Sequence, residues 1–257
     1  MSTNKFAIRE AAVTSFYDIA PDGSESLSVR LDTLKMTEIG HTSSTVYARG
    51  GRGNPKLVGF SGDKEVAVTI QDALFTTHSL AMLNGMAITK TAETIRRVDI
   101  KQVSETNTIT LDKKLVKLIS ARKLDGFHFP VEVLDITDIT MVGSVLTLPA
   151  GSEGTFVEVA YDTTIPADKN NTITVSASHF GGVKKMVVDV LVRDSFTGLD
   201  YTGQLIAPRV KIEEDFTFNF SPEGDPSVLD IPVQILKAPV GDDMYKLIIF
   251  DEDDLEI

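Results

Sequence analysis

The sequence predicts an all-β fold, a β-sandwich or barrel, from three observations. Apolar residues recur at every second position in most of the periodic segments. Clusters of glycine, proline, asparagine and aspartate separate these segments at the spacing typical of sandwiches and barrels. Helical periodicity is convincing in one short segment only. With 257 residues, the chain can form one large all-β unit or two smaller domains.

The alternation indicates which side chains of each strand face a core. The predicted core-facing positions are Leu27, Val29 and Leu31; Val66, Val68 and Ile70; Val157, Val159 and Tyr161; Phe216, Phe218 and Phe220; and Leu229, Ile231, Val233 and Ile235. The segment 187–192 differs because it is apolar at nearly every position. Such a run predicts a strand that is covered on both faces.

The one short helix is predicted over residues 77–84. Thr76 or Thr77 can cap its free N–H groups, and Gly85 suits the left-handed residue that follows a helix. The side chains expected to hold this helix against the sheet are Phe75, Leu80 and Leu83. Residues 113–123 have a weaker pattern that is compatible with either helix or strand.

Residues 101–167 are predicted to form a small β-rich lobe inserted into the main domain. Two pieces within them, 107–111 and 143–162, carry strand–turn–strand patterns of their own. The predicted main domain is therefore discontinuous, with residues 1–100 and 168–257 forming one β-sandwich.

Residues 38–55 match no element, because they show little periodicity and much turn chemistry. Long loops without regular structure are usually functional or disordered. Two interpretations stay open: a mobile surface loop, or an arm that orders only against another subunit. The residues expected to make inter-subunit contacts in such an arm are Tyr47, Arg49, Arg52, Pro55 and Lys56.

Composition excludes several classes of function. The net charge of −12 and the pI near 4.8 argue against a protein that grips nucleic acid, since binding to phosphates needs clustered lysine and arginine. The acidity serves solubility, or it keeps a surface from adhering to DNA that passes it. The chain has no cysteine, which excludes disulfides and thiolate metal sites. A signal peptide and membrane-spanning segments are not expected, because no long apolar run is present.

No motif predicts catalysis, a cofactor or a metal. The four histidines lack the spacing with which one element presents two ligands to zinc. The glycine-rich segment 50–56 is not followed by the helix that a phosphate-binding loop requires. The segment beginning at Asp168 lacks the glycine and the glutamate of a calcium loop. The acidic runs 213–215 and 251–254 are typical of solvated faces. The protein is therefore not expected to be an enzyme.

Several segments together resemble the tail tube (major tail) proteins of long-tailed bacteriophages. The resemblance lies in two separated halves of the chain, and the segment 101–167 departs from it. The matching segments are 46–60, the strand 65–70, 71–76 and the helix after it, then 206–212, 216–221, 223–227 and the last pair of strands.

This resemblance implies a sandwich or barrel of the tail-tube type with one flanking helix, assembled into hexameric rings. The inner sheets of a ring would join into one β-barrel around a channel, and rings would stack through long loops and arms. The implied partners are further copies of the chain, the tape measure, the terminator, the baseplate and, in a contractile tail, the sheath. DNA would pass without specific binding. Assembly would occur in the host cytoplasm and end in the virion tail, without a membrane.

Acidic residues in or beside the alternating strands are candidates for the lining of such a channel. Because alternation gives two faces without showing which one is inside, the exterior of a tube is an equal alternative for them. The candidates are Glu65, Asp72, Glu213 and Asp215. Two other functions stay open: a baseplate or head-decoration protein, and a carbohydrate-binding or carbohydrate-cleaving sandwich. The lack of tryptophan and the aromatic content of 7% count against the last.

Overall fold

The structure is a computed structural model that describes residues 5–74, 76–215 and 228–251, without the side chain of Ala12. Strands form 58% of it and helices 6%, so the predicted all-β class with one short helix is confirmed. The predicted strand 216–220 and the predicted contact of Phe75 lie outside the described residues.

The chain divides into two compact units, Met1–Ile88 with Ile173–Ile257, and Thr89–Thr172. The borders predicted for the inserted lobe, 101 and 167, both lie inside the second unit.

The strands of the first unit are β1 (Phe6–Ile19), β2 (Glu25–Leu31), β3 (Leu34–Arg49), β4 (Lys56–Asp72), β12 (Val183–Asp194), β13 (Asp200–Ile212), β14 (Leu229–Ile235) and β15 (Lys246–Phe250). The strands of the second unit are β5 (Glu93–Gln102), β6 (Thr108–Thr110), β7 (Lys117–Leu124), β8 (Pro130–Leu134), β9 (Thr140–Val142), β10 (Val145–Thr147) and β11 (Phe156–Ile165).

The first unit is built on one antiparallel sheet in the order β2-β1-β12-β13-β14-β4-β3, with β15 paired to β13. The predicted alternation of β4 and β14 is confirmed, because Val66, Val68 and Ile70 and the apolar positions of 229–235 are buried. They pack with residues of β1, β2, β12 and β13 in one core. In β2, Val29 and Leu31 are buried as predicted, but Leu27 is 57% exposed.

Strand β12 is buried on one face only, so the prediction that both of its faces are covered is wrong for the described chain. Met186, Val188 and Val192 are at most 1% exposed, and Met186 and Val188 pack in the core. Val187 and Leu191 point to the other face and stay half-buried. The described chain therefore leaves an apolar strip on the outside of its main sheet.

Helix α1 (Thr77–Leu83) is the predicted short helix, and it packs with Met82 and Leu83 on the core of the first unit. Thr76 is its N-cap: the Thr76 side chain accepts a bond from the Ser79 N–H, and Ser79 bonds back to the Thr76 N–H. Gly85 follows with φ +61°, as predicted. No helix in the described ranges is long and apolar enough to cross a membrane.

Gly85 should be far less tolerant of alanine than Gly23, although both have positive φ. A Cβ at Gly85 would overlap the Phe180 carbonyl and lie 2.9 Å from the Gly181 nitrogen, whereas a Cβ at Gly23 would meet nothing within 4 Å. We expect Gly23→Ala to cost about 1–2 kcal/mol for the left-handed backbone alone. Gly85→Ala should cost roughly 1–3 kcal/mol more. Chemical denaturation measures both, and equal losses would contradict the steric argument.

The second unit consists of the sheet β5-β11-β7-β8 and the small sheet β6-β10-β9. The predicted alternation of β11 is confirmed, since Val157, Val159 and Tyr161 are 0% exposed. The undecided segment 113–123 forms strand β7 in its second half. Thr89 and Thr172, at the two ends of the unit, form a β-bridge with N···O distances of 3.0 and 2.9 Å.

Candidate assembly surface

Residues 38–49 form a strand and 50–55 form a turn, so the prediction that 38–55 matches no regular element is wrong, as is the mobile-loop interpretation. These residues belong to a long hairpin in which β3 pairs with β4 from Leu34 opposite Asp72 to Arg49 opposite Lys56. Most of this segment carries no period-2 pattern because neither of its faces lies on a core. The alternation that marks a half-buried strand is therefore absent, although the segment pairs with β4 along its length.

The glycines of segment 50–56 form the turn of this hairpin. Gly51 and Gly53 have φ of +81° and +87°, and Asn54 has φ +49°, which are left-handed conformations. The Gly50 N–H donates to the Pro55 carbonyl at 3.3 Å and closes the turn. These glycines therefore reverse the chain, and a strand, β4, follows the segment in place of the helix that a phosphate-binding loop requires.

The outer part of the hairpin extends away from the core, and residues 41–65 are here called the arm. Every residue of the arm except Gly50 is exposed, so both faces of the two-stranded ribbon are open to solvent. Between the arm and the rest of the sheet, Ile39 on β3 and Val66 on β4 are the first residues of the hairpin that pack on the core. An isolated two-stranded ribbon is marginally stable in water. The arm is thus suited to contact another surface.

One face of the arm is apolar. Val46 lies directly opposite Phe60, and Ala48 lies opposite Val58, so these four side chains share one side of the ribbon. Val46 is 65% exposed, Phe60 59% and Val58 52%. A contiguous exposed apolar face of this kind marks an interaction site.

The residues that the sequence predicted for inter-subunit contacts lie in and beside the turn, with Tyr47 on the opposite face of the ribbon. The Lys56 ammonium lies 3.9 Å from the centroid of the Tyr47 ring, and a Cβ added at Gly59 would lie 3.1 Å from that ring. Arg49 and Arg52 are exposed and form no ion pair with any residue in the described ranges. Pro55 ends the turn. All five predicted residues therefore cluster at the tip of the arm, and their contact with another subunit stays a prediction.

The predicted lumen-facing acids do not form one group. Glu65 is exposed at the base of the arm, next to Asp63. Glu213 and Asp215 are exposed just after β13. Asp72 is 1% exposed and accepts a hydrogen bond from the Thr33 hydroxyl, so it cannot line a channel with a free carboxylate. Asp72 is removed from the candidates because its side of β4 faces the core.

The apolar face of the arm is the feature that reading the sequence missed. Its signal is present but short: Val46 and Ala48 alternate on one strand, and Val58 and Phe60 alternate on the other. With the glycine turn between them, the two pairs meet across the ribbon. Recognising 50–55 as a hairpin turn would have revealed the patch.

These features define a class of protein. An all-β subunit that extends a ribbon with an apolar face into solvent is built to be completed by contact with other subunits. The model of the YomU/Tube protein family matches residues 6–247, so the chain belongs to this phage-associated family of tube-type structural proteins. No curated protein matches the sequence.

Proposed function

We propose that the chain is the tail tube subunit of a long-tailed bacteriophage, and that copies of it form stacked hexameric rings around a channel for DNA. The observation that carries this proposal is the arm. Together with membership of a tube-protein family, its exposed apolar face supports a subunit whose contacts are completed by neighbouring copies. The function is structural, without catalysis or a cofactor.

The ends of the main sheet support lateral assembly. Strands β2 and β3 are the two terminal strands of the sheet order, so each has an edge without a ladder partner in the described chain. Free strand edges pair readily with other chains. A contact between two different edges is heterologous, and it produces a ring when the rotation closes. A closed ring of subunits would remove both of these edges.

The half-buried strip on the outside of β12 supports a second contact. Val187 lies opposite Ile206 on β13, and Leu191 lies opposite Thr202, all on the face away from the core. Asp189 and Gln204 share this face, where the amide donates to the carboxylate at 2.9 Å. A face that combines apolar side chains with hydrogen-bonded polar groups is typical of a protein interface. A tube needs lateral and axial contacts, and the strip and the arm are two separate candidates for them.

The acidity of the chain supports DNA passage without adhesion. The second unit carries ten basic and twelve acidic residues, so nearly all of the net charge of −12 belongs to the first unit. Glu65, Glu213 and Asp215 remain the proposed lumen-facing acids. Cationic groups bind DNA phosphates because binding releases the counterions of the DNA. Channel walls that are negative or neutral lack this interaction, and DNA would therefore move freely.

Negative-stain electron microscopy of the purified chain tests the proposed function. We expect rings or tubes of uniform width, and we expect assembled tubes not to retain DNA at about 0.15 M salt, where charges are screened beyond roughly 8 Å. A head-decoration or baseplate protein would give isolated or capsid-bound oligomers. A protein that stays monomeric at all concentrations would contradict the proposal.

A further inference from the structure

The turn between β12 and β13 presents an aromatic side chain in solvent. Phe196 is 96% exposed, and Leu199 in the same turn is 59% exposed. The residues between them, Thr197 and Gly198, are uncharged. Aromatic side chains fully exposed in this way are uncommon in a finished assembly, because burying such a ring in a partner is strongly favourable.

The turn is held rigid by its own hydrogen bonds. The buried Asp194 carboxylate accepts bonds from the N–H groups of Thr197 at 2.9 Å and Phe196 at 2.7 Å, and these bonds lower the Asp194 pKa. The Arg193 guanidinium binds the Asp200 carboxylate through two bonds, at 2.5 and 2.6 Å, across the base of the turn. The backbone that carries Phe196 is therefore ordered before any contact, so docking the turn costs little backbone entropy.

The same unit contains an apolar cleft of about 370 Å³ between β3 and the β1–β12–β13 part of the sheet. Its apolar wall includes Ala11, Ile39, Val188, Val190 and Leu205, and Arg9, Glu10 and His41 also line the cleft. A cavity of about 150 Å³ is enough to hold a benzene molecule. The cleft therefore has room for a phenyl ring and a second aliphatic side chain.

The cleft also contains a polar group that needs a partner. The Thr37 hydroxyl lines the cleft and is buried, yet it has no hydrogen-bond partner among the described residues. A buried polar group without a partner is unfavourable. Next to Phe196, the Ser195 hydroxyl likewise forms no hydrogen bond within the described chain. The Ser195 N–H, in contrast, donates to the Lys5 carbonyl. A hydrogen bond between the Ser195 hydroxyl of one copy and the Thr37 hydroxyl of another would give both groups a partner.

A subunit cannot fill its own cleft with this turn. Val190 in the cleft and Asp194 at the turn are four residues apart on the extended strand β12, or about 13 Å. The ring and the cleft are therefore two different patches of one surface. Two different patches that fit each other form a head-to-tail contact, which produces rings or filaments.

We infer that Phe196 of one copy docks in the apolar cleft of a second copy, and that Ser195 hydrogen-bonds to Thr37 there. This inference rests on the proposed self-assembly and names one of its contacts. Phe196→Ala should raise the critical concentration for assembly at least about tenfold, the equivalent of about 1.4 kcal/mol. Phe196→Leu should restore much of the loss. The subunit should stay folded, because the ring makes few contacts within it.

Val240→Ala is the matched control, since Val240 is 89% exposed in another turn of the first unit. We expect it to assemble as the unchanged protein does. Ala11→Phe, which fills the cleft from inside, should weaken assembly as Phe196→Ala does. An equal effect of Val240→Ala and Phe196→Ala on assembly would overturn the inference.

Engineered cysteines test the contact directly, because the chain has none of its own. Ser195→Cys subunits mixed with Thr37→Cys subunits should form a disulfide-linked dimer on oxidation, and neither variant alone should do so. Tubes that form normally without this mixed disulfide would refute the docking and leave the tube function intact. Failure of the unchanged protein to assemble would instead contradict the tube function.

Discussion

Replacing residues 44–63 with a two-residue Asn-Gly turn is expected to abolish tube formation while the subunit stays folded. Ser43 and Lys64 are paired across the ribbon, so an Asn-Gly turn can join them as a tight hairpin. The removed residues are exposed on both faces, and the core loses nothing. Assembly loses the apolar face, and burial of two or more large apolar side chains contributes roughly 1.5–3 kcal/mol each. The critical concentration should rise at least about a hundredfold.

Sedimentation and electron microscopy measure this loss, and thermal unfolding of the shortened subunit provides the folding control. Removal of 44–53 alone is a poorer test, because it would leave the β4 half of the arm without a strand partner. A second pair of variants separates the two faces. Val46→Thr with Phe60→Thr should reproduce most of the defect, whereas Arg49→Ala with Arg52→Ala tests the predicted arginine contacts. Normal tubes from the shortened protein would disprove the role of the arm.

The strands that form the cores could be predicted from sequence, because their side chains experience two different environments. In β4, Val66, Val68 and Ile70 alternate with outward residues, since one face packs on the core and the other does not. The helix was equally readable, because the Thr76 cap and Gly85 are local signals. Both kinds of signal depend on neighbours in the sequence or on one buried face.

The arm could be predicted only in part, because its environment is supplied by something other than the subunit. Exposed on both faces, residues 41–65 carry no burial pattern, and their pairing follows from the hairpin turn alone. The prediction that this segment is an arm came from its length and its arginines, and its strand structure was missed. Asp72 was misplaced for a related reason: alternation identifies two faces of a strand but does not show which one faces the core.

Residues 89–172, expressed alone, are expected to fold as an independent domain. Their two ends are joined by the Thr89–Thr172 bridge, so the fragment begins and ends at adjacent positions. The unit has its own core of buried residues from β6, β7, β10 and β11. It also has its own buried polar group: the Tyr161 hydroxyl donates to the Asp99 carboxylate at 2.8 Å, and the same carboxylate oxygen accepts from the Asp112 N–H at 2.8 Å. A domain with adjacent termini is typical of a tolerated insertion.

A dispersed NMR spectrum and one cooperative thermal transition would establish that the fragment is folded. The reciprocal protein, with Ile88 joined to Ile173 by a short glycine linker, should keep its core and still form tubes. Tyr161→Phe is the internal control. This substitution removes one of the hydrogen-bond donors to Asp99, which costs about 1–3 kcal/mol of folding stability. For a domain of this size, each kcal/mol changes the melting temperature by about 4–8 °C. The melting temperature of the fragment should therefore fall by several degrees. An unfolded fragment together with an unfolded reciprocal protein would show that the two units form one cooperative structure, and the insertion would be refuted.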